Sequence, residues 1–445
     1  MPPDTTAPVT DLLQQLIRNA CVNDGEVRSG QEERSADLLR SVLEGPGLDL
    51  ETFEPVEGRT SLVARIEGSD PAAPSLLLMG HTDVVPANAD GWARDPFGGE
   101  LVDGEIWGRG AVDMLNLTAS MAVAIRRLAD TGFRPRGSLL YLAVADEEAL
   151  GTWGASWLTE HERDAVQADY VITESGGVPI VTPQGRRLPI VTGEKGCYWV
   201  RLTVHGTPGH GSQPLRTDNA LVTAASVVTS LASFQPAAHV HEAWERWVRD
   251  LGAFPPDLAD ALVDPSRVDQ ALEELQLPIA RLSHACTHTT FAPTVAHGGV
   301  KTNVIPDRVR LDVDIRTLPG QSGADIRGML DEALGSLADK VDIEVLSDDP
   351  ATASALDTPL WDSLASVSSR LSGGARLVPT MTVGATDARF FRRVGAVAYG
   401  FGLFSDRMSI EDYFSMFHGD NERVDQESLR LSTELWEAVA ADFLA

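Results

Sequence analysis

The feature that most restricts this chain's fold recurs through its first half: a short apolar run, then a histidine or an acid, then a turn. Leu76-Leu77-Leu78-Met79-Gly80 leads into His81-Thr82-Asp83, and Pro86 closes the turn. The run 138–145 leads into Asp146-Glu147-Glu148, and 169–173 leads into Glu174-Ser175-Gly176-Gly177. Short apolar runs bounded by glycine and proline read as buried strands, and side chains two apart on a strand leave the same side. His81 and Asp83 therefore suit a metal-bound imidazole with a carboxylate behind its other ring nitrogen. Binding sites in open α/β sheets gather at the carboxyl ends of strands, where this pair falls. The plainer alternative is a surface His-x-Asp pair.

Adjacent carboxylates at the end of an apolar strand repel one another unless a cation compensates them. Asp146, Glu147 and Glu148 are thus either a solvated acidic turn or part of a cation site. Asp113 precedes an apolar, alanine-rich helix expected at 117–128, as its cap or as a further ligand. Neighbouring strands lie about 5 Å apart, close enough for His81, Glu147 or Glu148, Glu174 and Asp113 to meet. Imidazole and carboxylate without sulfur suit zinc, manganese or cobalt.

The rest of the chain alternates helix and strand around one interruption. Leu12, Leu13, Leu16 and Ile17 form a helical stripe that Thr10 or Asp11 can cap, and a second helix is expected at 32–43. From Gly193 the pattern changes. Val200, Leu202 and Val204 alternate with polar residues, as do Val309, Leu311, Val313 and Ile315, which is the signature of half-exposed antiparallel strands. The segment 234–286 is polar, proline-interrupted and partly helical. The expected architecture is α/β: a doubly wound sheet in residues 1–192 and 319–445, interrupted by an inserted α+β domain at 193–318.

A formal charge of −29 argues against nucleic acid or an anionic membrane as a partner. Cys21, Cys197 and Cys286 form no Cys-x-x-Cys pair, which points to a reducing compartment. The start Met1-Pro2-Pro3-Asp4-Thr5 lacks the pattern of a signal peptide, and no run approaches the roughly 20 apolar residues that span a bilayer. The expectation is a cytoplasmic protein.

His81-Thr82-Asp83, Gly108-Arg109-Gly110 with Asp113, Glu147-Glu148, Glu174 and Phe417-His418-Gly419 together resemble the di-zinc metallopeptidase family of aminoacylases, glutamate carboxypeptidases, succinyl-diaminopimelate desuccinylases and dipeptidases. The likeness covers nearly the whole chain. It implies two zinc ions per subunit, one held by His81 and Glu174, the other by Glu148 and His418, with Asp113 bridging; manganese or cobalt could replace zinc. Asp83 would steady the His81 ring, and Glu147 would be the general base. The inserted domain would be a lid and dimerisation domain in a homodimer, with His210 reaching across to the tetrahedral oxyanion. Asn303 and Arg316 match positions that grip substrate, and Gly384 and Thr386 lie in a glycine-rich turn near it. Arg316 could instead pair with Asp314, and Asp387 could be only a helix cap.

The implied activity is hydrolysis of an amide or peptide bond next to a free carboxylate, in an N-acyl amino acid or short peptide. Carbamoyl or ureido amino acids are the neighbouring alternative, and a metal-binding protein with a dead site is the alternative from another class. Retention of Glu147 weighs against the dead site, since a binder needs ligands but no base. A dinucleotide enzyme finds no Gly-x-Gly-x-x-Gly between a strand and a helix. Leu115 and Asn116 after Met114 depart from the family's common lysine and small residue.

Overall fold

The computed structural model describes residues 5–445, so the stretch Met1–Asp4 read for a leader lies outside the described residues. Strands β1 (Asp49–Phe53), β2 (Ser61–Ile66), β3 (Leu76–His81), β4 (Leu139–Val144), β5 (Tyr170–Thr173), β6 (Ile180–Thr182) and β7 (Gly185–Glu194) come first. Then follow β8 (Gly196–His205), β9 (Thr290–Gly298), β10 (Arg308–Thr317) and β11 (Val341–Asp349). The last are β12 (Thr352–Ala353), β13 (Arg376–Thr382) and β14 (Val397–Gly400).

The larger sheet is mixed and runs β1-β2-β4-β3-β5-β14-β7-β12, with β6 and β13 also paired to β7. Its centre, β4-β3-β5-β14, is parallel. Leu76 and Leu78 pack on one face of the sheet and Leu77 and Met79 on the other, so both faces are covered, as the uninterrupted apolar runs require. Helices α1 (Thr6–Asn19), α2 (Glu33–Leu43) and α3 (Leu115–Asp130) cover the first face with α6 (Pro359–Leu371) and α7 (Gln426–Phe443). Helix α1 starts before the expected Thr10 or Asp11 cap, and its Val9, Leu12, Leu13, Leu16 and Ile17 are all buried.

The second sheet is antiparallel, in the order β9-β10-β8-β11. Strands β8 and β10 pair along their whole length, Gly196 opposite Thr317 and His205 opposite Arg308. Val200, Leu202 and Val204 face α4 (Ala220–Ser233) and α5 (Gly323–Leu334) in a core separate from the first. The expected boundary at 318/319 does not coincide with the end of this core and sheet. Helix α5 packs in the second core, and β11 pairs with β8, so by sheet membership the inserted unit extends through Asp349. The return of helix–strand alternation after Pro319 had the look of the first domain because either domain can use it. Residues 234–287 form four short helices around Trp244, Val248, Leu262 and Val268, a satellite core that also takes in Leu318 and Met381.

Candidate metal centre

Strand β3 delivers His81 to the sheet edge at 1% exposure, opposite Val144 of β4. Gly80 is required there: a Cβ would stand 2.4 Å from Thr118 Oγ1, where α3 crosses the strand. That same hydroxyl donates to the His81 carbonyl at 2.8 Å, which fixes the strand end against the helix. Strand β5 delivers Glu174, and Gly400 of β14 permits the close pass, since a Cβ there would lie 2.1 Å from the Glu174 carbonyl oxygen. Asp113 closes the loop ahead of α3, and its peptide bond to Met114 is cis. His418 takes a left-handed backbone, φ 53°, after the helix Ile410–Met416.

These ligands, far apart in sequence, meet. His81 Nε2 lies 3.2 Å from Asp113 Oδ1, while His418 Nε2 lies 3.3 Å from Asp113 Oδ2 and 3.1 Å from Glu148 Oε2. One donor atom each of His81, Asp113 and Glu174 lie within 4.8 Å of one another, and so do those of Asp113, Glu148 and His418. Asp113 is common to both groups, with one oxygen toward each histidine.

The chemistry of this donor set fits two cations. His81 Nδ1 bonds the Asp83 carbonyl at 2.9 Å; if the hydrogen sits there, a lone pair on Nε2 faces the Asp113 carboxylate. Two acceptors face each other, and a cation between them satisfies both. Burial, then the Asp113 charge, raises the Glu148 and Glu174 carboxyls above the ordinary range. Hydrogen bonds to Asp113 and Glu148 push His418 up to about 10. Burial opposes ionisation of Asp113, but the His418 and His81 rings beside it hold it well below the usual carboxylate range. Carboxyls crowded in this way call for positive charge among them.

The other expected residues divide. Glu147 opens a 3₁₀ turn, Glu147–Ala149, after left-handed Asp146, so a tight turn sets the course of its side chain relative to that of Glu148. Burial, then Glu174, raises its carboxyl well above the glutamate range. Asp83 stands beside the His81 ring and has further partners. Its carboxylate lies 3.6 Å from His81 Nδ1 but accepts the backbone N–H groups of Glu147 at 3.3 Å and Glu148 at 3.1 Å, and Asn23 Nδ2 at 2.9 Å. Arg59 backs this arrangement, bonding Asn23 Oδ1 at 3.1 Å and Glu32 at 2.5 Å. Asp83 thus holds the turn that carries Glu147 and Glu148.

Thr386 is buried, its N–H held by Glu194 Oε2 at 2.5 Å; Gly384 lies in the same turn, its N–H 3.4 Å from Thr382 Oγ1. His210 is exposed and bonds Ser212 Oγ at 2.7 Å; its loop is tied to Asn303 by Gly211 N donating to the Asn303 carbonyl at 2.8 Å. Arg316 takes the alternative course, facing Asp314 at 2.8 and 3.2 Å and Cys197 Sγ at 2.8 Å. Asp387 precedes the helix Ala388–Arg393 without capping it; both carboxylate oxygens are buried and lack a hydrogen-bond partner, and burial pushes the group up to about 7. Sequence reasoning missed Asn23, Arg59 and Glu422. Glu422 had one available signal, its nearness to His418; Asn23 and Arg59 sit in loops with no periodicity to mark them.

Two candidate donor groups that share Asp113, gathered at the carboxyl ends of strands in a doubly wound sheet, mark a candidate metal centre. The chain belongs to peptidase family M20/M25/M40, whose family model matches residues 77–442. Human N-fatty-acyl-amino acid synthase/hydrolase PM20D1 is 30% identical over 371 residues, 81% of this chain and 72% of that protein. Succinyl-diaminopimelate desuccinylase of Cereibacter sphaeroides is 27% identical over 423 residues, 93% of this chain and 95% of that protein. The fold matches the M20 family metallo-carboxypeptidase Sso-CP2 of Sulfolobus solfataricus with TM-score 0.73 at 19% identity, covering 97% of this chain and 98% of that one.

Proposed function

We propose that this protein hydrolyses the amide bond of N-acyl amino acids or short peptides that carry a free carboxylate beside the cleaved bond, using two zinc ions. The observation that carries this reading is the sharing of Asp113 between two three-residue donor groups, with Glu147 immediately before the ligand Glu148. His81 and Glu174 would hold one ion, Glu148 and His418 the other. When bound, such ions polarise the scissile carbonyl and acidify water. Glu147 takes the proton of the attacking water and returns it to the leaving amine. Asp83 holds Glu147 in place through the turn amides. Arg316, on release from Asp314, offers a guanidinium to the substrate carboxylate, and Asn303 grips substrate from the His210 loop.

Acyl amino acids are favoured by the relatives named for N-fatty-acyl-amino acid and succinyl-diaminopimelate chemistry. A homodimer is supported by the exposed apolar side chains Leu221 and Val222 on α4 and Val295 on the edge strand β9. In such a dimer His210, on its exposed loop, donates to the oxyanion of a second copy's substrate.

The test is metal quantification on the purified protein followed by assay against acyl, peptidyl and carbamoyl amino acids and their carboxamide counterparts. Cleavage confined to acyl or peptidyl substrates with a free carboxylate is expected. Cleavage of carbamoyl substrates alone replaces the substrate class. No turnover at full metal loading makes the chain a metal-dependent binder.

A further inference from the structure

Glu422 follows His418 in the same short segment and is 0% exposed, yet belongs to neither donor group. Its carboxylate is saturated with donors. Oε1 accepts Val112 N–H at 2.7 Å and Asp113 N–H at 2.8 Å; Oε2 accepts Gly110 N–H at 2.9 Å and Arg109 Nη1 at 3.0 Å. Buried backbone amides need partners, and this loop has no helix or strand to supply them. One side chain from the far end of the chain does so instead.

Arg109 extends the clamp. It is 3% exposed, it lies 5.3 Å over the Trp92 ring, and its Nη2 reaches the carbonyls of His418 and Pro86 at 3.5 Å each. The Glu422–Arg109 pair therefore ties together the Asp113 loop, the His418 segment and the turn after His81-Thr82-Asp83. These are separate stretches of sequence. A bridging carboxylate works only if both oxygens reach their ions at once, so the separation of Asp113 from His418 must be held to within a fraction of an ångström.

We infer that Glu422 is a positioning residue that sets the separation of Asp113 and His418 and thereby the affinity of the cation position formed by Asp113, Glu148 and His418. The inference rests on the two-cation reading above. Glu422 acts through the backbone of a ligand and touches neither substrate nor ion. Its carboxylate is needed in full: an amide would turn an NH₂ group toward the N–H of Gly110 or the Arg109 guanidinium, donor against donor.

The test is Co²⁺ titration of the metal-stripped full chain, followed by visible absorption, on wild type, Glu422→Gln, Glu422→Asp and Glu437→Gln. Wild type is expected to take up two equivalents. Glu422→Gln is expected to keep the first and bind the second about 10–100-fold more weakly, the range for groups that orient a metal ligand. Glu422→Asp keeps the charge but is one methylene short of spanning its donors, so it shifts the same way by less, and it decides the matter if the glutamine variant fails to fold. Glu437→Gln breaks the α3–α7 pair with Arg127, 2.5 Å in length, and tests mere structural loss; it should leave both affinities unchanged. Wild-type affinity for both ions in the folded glutamine or aspartate variant overturns the role of Glu422 alone. Equal loss in Glu437→Gln does so too. Uptake of only one equivalent by wild type overturns the two-cation reading and this role with it.

Discussion

At the edge of the large sheet, His81, Asp113, Glu148 and Glu174 have buried side chains, and only His418 stands partly in solvent, its side chain 57% exposed. Beyond that sheet the substrate-gripping candidates are arranged otherwise: Arg316, on the antiparallel sheet, is occupied with Asp314, and His210 and Asn303 stand exposed on segments outside it. The difference follows from electrostatics. Like charges brought together out of water must be held by a stiff frame, here parallel strands with helices on both faces, because each carboxyl would sooner protonate or move away. Groups that meet a substrate carboxylate need no such frame until substrate arrives, and solvent or a neighbouring acid satisfies them meanwhile. On the proposed reading, the large sheet carries a preformed centre, and the inserted region carries groups that substrate must recruit.

If that contrast is right, damage to the large sheet's edge is absolute and damage to the second sheet is graded. Asp113→Ala has the largest expected effect: it removes the one carboxylate common to both donor groups, so bound metal and turnover both fall to background, read by elemental analysis and substrate assay. A variant that retains two ions would break the comparison at its root. Glu147→Gln comes next. The carboxamide keeps the shape of the turn and the Asp83 bonds to its amides, so metal content should stay at the wild-type level while kcat drops by about 10²–10⁴-fold, the usual range for lost proton transfer. Undiminished kcat would assign the base elsewhere, with Asp387 the next carboxyl to examine.

The unequal legibility of the two regions has the same physical origin. Strand ends on the large sheet could be read because apolar runs are conspicuous and an acid placed after one is costly; His81, Glu147, Glu148 and Glu174 were each marked by that clash. Asp113 was legible only from its place ahead of a helix, as cap or ligand, and His418 lacked any such mark and came from family resemblance. The bonds from Asp83 to the Glu147 and Glu148 amides were not legible, because side-chain alternation says which way a carboxylate points along a strand, and nothing about a turn that begins far along the chain at Asp146. Glu422 and Arg59 bond to loop backbone or loop side chains, and loop hydrogen bonding leaves no periodicity to find. The sheet membership of β11 was not legible, because α5 and β11 carry the same local patterns as elements of the first sheet, and only the pairing of Val341–Val345 with β8 shows which sheet holds the strand.

Arg316 gives the graded case. Arg316→Met removes the guanidinium, so KM for substrates with a free carboxylate should rise about 10–100-fold, the worth of one charge-assisted hydrogen-bonded pair, while kcat and metal content change little. Carboxamide substrates should lose nothing. Asp314→Asn sharpens this, since it weakens the competing partner at 2.8 Å without removing the arginine, and KM should then fall or hold. A rise in KM of the same size in Asp314→Asn would show that Asp314 aims the guanidinium and does not compete for it.

Leu311→Ala has the smallest expected effect on the chemistry and tests whether the two sheets are as independent as their separate cores imply. Leu311 is 2% exposed in the core formed by β8, β10, α4 and α5, and contributes nothing to the core under β3. Its truncation leaves a cavity and should cost about 2–5 kcal/mol of stability, seen as a lower thermal midpoint. If the metal centre draws its rigidity only from the large sheet, metal affinity and kcat at a temperature well below that midpoint should match wild type, and any change should fall on KM. Loss of metal affinity in this variant would mean that the stiffness of the ligand cluster depends on the inserted unit packed beyond Glu194 and Gly196, and the contrast between a preformed and a recruited region would give way to a single cooperative frame.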